Sequence, residues 1–215
     1  MVSTITYKVD GIDFSTFGIY VSGSKGVLDL PTLKQPQKYD WSDYHGEIVD
    51  LDAPRYNTRS ITLDSWIETK LGMVEFANKI NQFYLAITKP GAHQLLVYID
   101  DDSPLAYMVY MKDGMSVTKA WREIEMFGTF QIKLEEPEPV KRVIQYTGTK
   151  ASITFKSPDM FNIYWGDGNA DYDVSADSQK TVTHTYSKSG TYFICFSGNT
   201  ESLSVFTTNG SVIWG

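Results

Sequence analysis

The chain predicts a mainly β protein: a β-rich module carrying one helix, followed by a small β-sandwich. Three observations carry that prediction. Aromatic residues fill 14% of the 215 positions, including fourteen tyrosines and eleven phenylalanines, a stock that suits strands and interfaces better than helices. A single stretch, 71–87, repeats apolar residues at three- and four-residue steps. Alternating stretches bounded by Gly, Asp, Asn and Pro fill much of the remainder. The length allows one large domain or two modest ones, each with its own core.

Taken in order, residues 5–9 alternate and end at the Asp10-Gly11 turn, and 17–21 read as a second strand. Gly23, Lys25 and Gly26 sit in a turn too short to cradle a phosphate. Val27-Leu28-Asp29-Leu30-Pro31 opens a polar stretch through Asp43, either an extended loop or a projecting hairpin. Further strands are expected at 46–51 and 59–67, the latter with Ile61, Leu63 and Ser65 on one face. In the helix, Met73, Phe76, Ala77, Ile80, Phe83, Tyr84 and Ile87 form the apolar stripe, and Pro90-Gly91 stops it. Strands at 94–99, 105–111 and 127–134 follow, the first two joined by a turn at Asp100-Asp101-Asp102-Ser103. Residues 121–125 are a helical turn or an edge strand, with Trp121 and Ile124 packable and Arg122 exposed. Leu134-Glu135-Glu136-Pro137-Glu138-Pro139 reads as a stiff linker, dividing the chain into 1–136 and 137–215.

The second module holds the most specific pattern. Trp165-Gly166-Asp167-Gly168 is a tight turn in which glycines allow positive φ and the Asp167 carboxylate can accept backbone N–H bonds. Val182, His184 and Tyr186 share one face of the next strand, with three threonines on the other. A turn reaching Gly190 sends the chain back with Tyr192, Ile194 and Phe196 on one face. These residues resemble the PKD family of immunoglobulin-like domains, whose signature runs Trp-x-Gly-Asp-Gly, His-x-Tyr, Gly-x-Tyr. Here the residue between Trp165 and the first glycine is missing. The resemblance implies a spacer or weak binder with no catalytic pocket, and a structural role for Trp165, Gly166, Asp167, Gly168, His184, Tyr186, Gly190 and Tyr192.

Charge and reactive side chains exclude several functions. The net charge is −7, and residues 1–136 carry about −6 of it (13 Lys/Arg against 19 Asp/Glu). No basic run is present to release phosphate counterions, so specific nucleic-acid binding is not expected. Cys195, the single cysteine, reads as a buried structural thiol. His45, His93 and His184 never fall at ligand spacing, so no zinc site is expected. The acids at 100–102 lack the alternation that wraps Ca²⁺ and read as a solvated hairpin tip. Asp40 and Asp43 stand among Tyr39, Trp41, Tyr44 and His45 at a density that could meet sugar, although an aromatic loop or subunit interface is the plainer reading. No nucleophile elbow, phosphate loop or dinucleotide fingerprint occurs. The expectation is a non-enzymatic protein without cofactor or metal. It is further expected to be soluble, made in the cytoplasm without a signal peptide, and not inserted in a membrane.

The first module resembles the N-terminal domain of phage distal tail proteins. The resemblance rests on Tyr7-x-Val9-Asp10-Gly11-Ile12-Asp13-Phe14, Phe17-Gly18-Ile19-Tyr20-Val21 and Gly26-Val27-Leu28-Asp29-Leu30-Pro31 with a Lys34-containing arm. It continues through Gly46, Arg55-Tyr56-Asn57-Thr58-Arg59, the single helix, the Tyr98-containing strand and Phe127-Gly128-Thr129-Phe130-Gln131-Ile132-Lys133-Leu134. It implies a β-barrel or sandwich flanked by one helix, with six copies in a ring that joins the tail tube to the baseplate or receptor-binding proteins. A virion tail of a phage or prophage would be its location. A ring needs heterologous contacts, and the arm at 30–44 with Lys34, Tyr39, Trp41 and Tyr44 is the expected inter-subunit belt. The acidic first module would give a negative lumen past which DNA slides. Distal tail proteins commonly end in a different type of second domain, so the PKD-like module is a departure. Host surface glycans are a further candidate partner, through 169–173 and 199–200, which are equally well plain sandwich loops. A carbohydrate-binding or adhesion protein is the alternative function, and a hydrolase with an accessory sandwich the least supported.

Overall fold

The protein is described by a computed structural model over residues 5–52, 54–99, 103–122 and 125–214, with the side chains of 121 and 122 left aside. It is mainly β. Fourteen strands are described: β1 Thr6–Val9, β2 Ile12–Asp13, β3 Ile19–Lys25, β4 Lys38–Asp40, β5 Glu47–Val49, β6 Arg59–Thr69, β7 His93–Tyr98, β8 Leu105–Met111, β9 Thr118–Arg122, β10 Glu125–Glu136, β11 Lys141–Tyr164, β12 Ala170–Gly198, β13 Val205–Thr208 and β14 Ser211–Trp214. One helix, α1 (Gly72–Ile87), follows β6.

The first ten strands, apart from the β4–β5 ribbon, form an antiparallel sheet in the order β2-β1-β7-β8-β10-β6-β3, with β9 on the first half of β10. Its two halves meet where Leu134 and Glu135 pair with Met111 and Tyr110 and Lys112 N donates to Lys133 O (2.9 Å). Both halves turn Val9, Ile19, Leu63, Leu95, Val109 and Ile132 into one core, which α1 closes with Phe76, Phe83 and Ile87. β6 alternates as a half-buried strand should, with Ile61, Leu63, Ser65 and Ile67 inside.

Three expectations for this module need correction. Residues 14–17 form a 3-10 turn capped by Asp13, so the second strand begins only at Ile19, after Gly18 in the left-handed region, and runs on through Gly23 to Lys25. Met73 and Ala77 lie outside the helix stripe and are exposed, because the buried face follows Phe76, Ile80, Phe83 and Ile87. The stretch at 134–139 is no free linker: β10 continues through Glu136, whose side chain is fully buried. The expected turn at 100–102 lies outside the described residues, as do 123–124, whereas 118–122 form an edge strand on β10.

The remaining strands build the sandwich around Ile153, Phe155, Phe161, Ile163, Trp165, Ile194 and Phe196. β11 pairs with β12 along much of its length and also with β13 and β14, with register shifts at Gly148 and Ser157. Tyr192, Ile194 and Phe196 face inward as expected, but Phe193, Cys195 and Ser197 on the opposite face are buried too. That second face packs on the first module, where Leu96, Ala106 and Met108 meet Val143, Tyr164, Phe193 and Cys195. β7 therefore serves two cores, Leu95 and Val97 pointing to one and Leu96 to the other.

Candidate assembly surface

Residues 26–57 leave the sheet as a ribbon whose root is tightly fixed. Gly26 has φ +85°, and a Cβ there would lie 2.0 Å from the Ser60 carbonyl oxygen, so only glycine fits. Arg59 donates to the carbonyls of Gly26 (3.3 Å) and Asp29 (2.8 Å), and the Tyr107 hydroxyl donates to that of Val27. Along the ribbon Asn57 N donates to Thr32 O (2.8 Å), Lys34 N to Arg55 O (2.7 Å) and Asp50 N to Gln37 O (2.9 Å). β4 and β5 pair only with each other among the described residues, with Tyr39 opposite Ile48 and a Lys38–Glu47 ion pair at 2.9 Å. Tyr44 N donates to Trp41 O (3.0 Å) and helps close the tip.

Backbone pairing thus holds the ribbon out without a core of its own. Tyr39, Trp41, Tyr44 and Ile48 are 46–59% exposed, and Leu28, Leu30, Leu33 and Leu51 are exposed as well. This density of uncovered apolar side chains makes the ribbon a candidate interaction surface. Of the two alternatives for this stretch, the structure takes the projecting hairpin. Lys34 lies midway along it, and Tyr39, Trp41 and Tyr44 at its far end. Asp40 and Asp43 stand on the exposed tip.

A second unfilled surface is the open face of β3, β6 and β10. Tyr20 stacks on Trp66 (4.7 Å) and Trp66 on Phe127 (5.9 Å), beside a shallow groove of about 610 Å³ that includes Ser22, Asp64 and Gln131. A third groove, of about 500 Å³, lies between the ribbon root and the sandwich, where Arg55 reaches Glu201 at 3.3 Å.

The signature residues of the sandwich converge on one cluster. Trp165 is buried, its indole N–H donating to Asp171 (2.9 Å) and its ring stacking on His184 (5.0 Å). Asp167 accepts from Asn169 N (3.1 Å), Asn169 Nδ2 (3.0 Å) and His184 Nε2 (2.8 Å). Burial works against its charge, but the bonds from His184 and Asn169 prevail and hold its pKa below the usual carboxylate range. The Tyr186 hydroxyl donates to Trp165 O (2.9 Å), and its ring lies 3.6 Å from that of Tyr192, near parallel. Gly166 (φ +82°) lies where a Cβ would come within 2.7 Å of Phe193 O. Gly168 (φ +90°) stands in open space, and Gly190 lies beside the Tyr192 ring. These contacts are those of a packed structural corner.

The joint between modules was not foreseen from sequence. Gln94 Nε2 donates to Phe193 O (2.6 Å) and faces the Cys195 sulfur at 3.9 Å. Burial pushes the Cys195 thiol up to about 11, so it stays protonated and inert. Glu136 binds Lys141 and contacts Arg59 (3.1 Å), and the Lys141 ammonium lies over the rings of Tyr107 and Trp214. Beside this joint His93 Nδ1 meets Asp10 (2.7 Å) and Nε2 meets Lys89 O (3.0 Å). A carboxylate and a carbonyl only accept, so the two contacts are satisfied together by the doubly protonated imidazolium. Its bond to Asp10 raises its pKa above the ordinary value against the opposing effect of burial. The unbroken apolar run from Tyr192 to Phe196 was the one available signal of a strand buried on both faces.

Among the described residues no group of three His, Cys, Asp or Glu is placed to hold a metal, and no helix is long and apolar enough to cross a membrane.

No protein-family model and no curated protein matches the chain. Among solved structures it is similar to the Dit protein (gp19.1) of phage SPP1, described as a paradigm of the hub adsorption apparatus in phages that infect Gram-positive bacteria. The two share 10% identity with a TM-score of 0.52, over 98% of this chain and 85% of the other. At that identity the likeness is one of fold, and it spans both modules.

Proposed function

We propose that the chain is a structural, non-catalytic protein of a phage or prophage tail tip, a distal tail protein. Copies close into a ring, six in number, that links the tail tube to the baseplate or receptor-binding proteins. Residues 1–136 form the ring module, and residues 137–215 form an outer PKD-like module. The observation that carries this reading is the likeness to a hub protein over nearly the whole chain. Two features support it physically. Among the described residues β3 pairs only with β6, β9 only with β10 and β2 only with β1, which leaves three open edges on one sheet. A heterologous contact needs two different surfaces of this kind. The ribbon supplies a further exposed apolar surface beyond the compact body.

Light scattering of the full chain across a concentration series tests the proposal. A mass rising to six times that of the monomer supports it. A monomer that persists at the highest concentration, alone and with a tail-tube partner, removes it. A second reading, glycan binding, rests on the stacked Tyr20–Trp66–Phe127 row beside the polar groove. Glycan-array binding that is lost in Trp66→Ala would favour it.

A further inference from the structure

We infer that the tip of the arm docks on the outer face of α1 in the neighbouring copy. The inference rests on the ring reading above and names the two surfaces that meet. Each carries uncovered apolar side chains. On α1 and its first flank, Leu71, Met73, Val74 and Leu85 are 60–75% exposed, with the exposed polar Asn78 and Asn81 between the two ends. On the arm, Tyr39, Trp41, Tyr44 and Ile48 offer rings and a branched chain of matching character.

Their charges are complementary. Residues 38–50 hold one lysine against four acids, Asp40, Asp43, Glu47 and Asp50, a net of −3. Residues 70–89 hold Lys70, Lys79 and Lys89 against Glu75, a net of +2. Lys38 is already paired with Glu47, so Asp40 and Asp43 are left beside the aromatic tip. Such an arrangement favours one docking register and speeds encounter.

Topology separates the two surfaces within one chain. The ribbon is clamped by Arg59, the first residue of β6, whereas α1 follows the last. Eleven strand residues hold those points roughly 35 Å apart. An arm leaving one end and a helix face beginning at the other are the two unlike halves that a heterologous contact needs, and repetition of such a contact closes into a ring when its rotation closes.

The test uses full-length chains carrying one new thiol each, since the native Cys195 is buried. Tyr44→Cys chains are mixed with Val74→Cys chains and treated with a short bismaleimide. The inference expects cross-linked heterodimers well above the level given by either chain alone, mapped to 44–74 by mass spectrometry. It also expects Asp40→Lys/Asp43→Lys to need roughly tenfold more protein to assemble, with recovery when Lys70→Glu/Lys89→Glu is present on the partner. Rings that form without the 44–74 link, and at unchanged concentration in the charge variant, overturn the docking and leave the ring reading intact. If no chain assembles at any concentration, alone or with a tail-tube partner, both fall.

Discussion

Replacing Phe193 with alanine tests whether the two modules are one mechanical unit. The ring belongs to the sandwich by chain position, yet it lies in the cluster with Leu96, Ala106 and Met108 of the first sheet, edge-on to Tyr98 at 6.3 Å. Only 6% of the residue is exposed, so its loss leaves a cavity at the joint rather than a solvated dent. Removal of a buried phenylalanine costs about 3–5 kcal/mol. With a urea slope of about 2 kcal/mol per M, the unfolding midpoint should fall by about 2 M. Hydrogen exchange read by mass spectrometry supplies the decisive detail. In the wild type, amides of Leu63 in β6 and of Phe155 in β11 should open together, because both strands lie in cores tied through β7. In Phe193→Ala both should lose protection by a similar factor. Unchanged protection at Leu63 with a loss confined to β11 and β12 would refute a shared cooperative unit and restore two independent domains on a linker.

Three other outcomes are expected. His93 should contribute stability that is complete below its unfolded pKa of about 6.5 and disappears as pH rises through its raised folded value; a flat pH profile in this window, or the same profile in His93→Gln, would contradict the doubly donating imidazolium. Asp167, with its pKa lowered, should contribute fully above about pH 3.9 and lose that contribution as pH falls through the folded value, so the difference between wild type and Asp167→Asn should shrink in acid. Gly166→Ala should be more harmful than Gly168→Ala, although both have positive φ, because the added Cβ meets the Phe193 carbonyl in the first case and open space in the second; about 1–3 kcal/mol of strain applies to each, and equal melting temperatures would argue against the clash.

What the sequence disclosed follows from where its patterns are governed by a single burying surface. β6 and α1 were legible because each buries one face, and the periods of two and 3.6 record that. The Trp165 corner was legible because Trp165, Asp167, His184 and Tyr186 form one hydrogen-bonded unit around the glycine turn. The arm was visible as a Pro- and Gln-rich stretch, but its pairing was not, since cross-strand bonds such as Lys34 N to Arg55 O leave no side-chain pattern. The joint was misread for a physical reason. Glu135, Glu136 and three prolines or acids beside them have the composition of a solvated linker, and contacts with the distant Arg59, with Lys141 and with the Met108 backbone make burial of Glu136 tolerable. Met73 and Ala77 were assigned to the core by helical spacing alone. Their exposure is understandable if another copy's arm covers that face.

Negative-stain electron microscopy of the purified full chain at high concentration addresses ring formation and the fixed joint together. Class averages should show six-fold rings with a central hole and six sharply defined peripheral lobes, one sandwich module each. Isolated particles at every concentration, or rings whose outer lobes blur away on averaging, would contradict the closed ring in the first case and the rigid joint in the second.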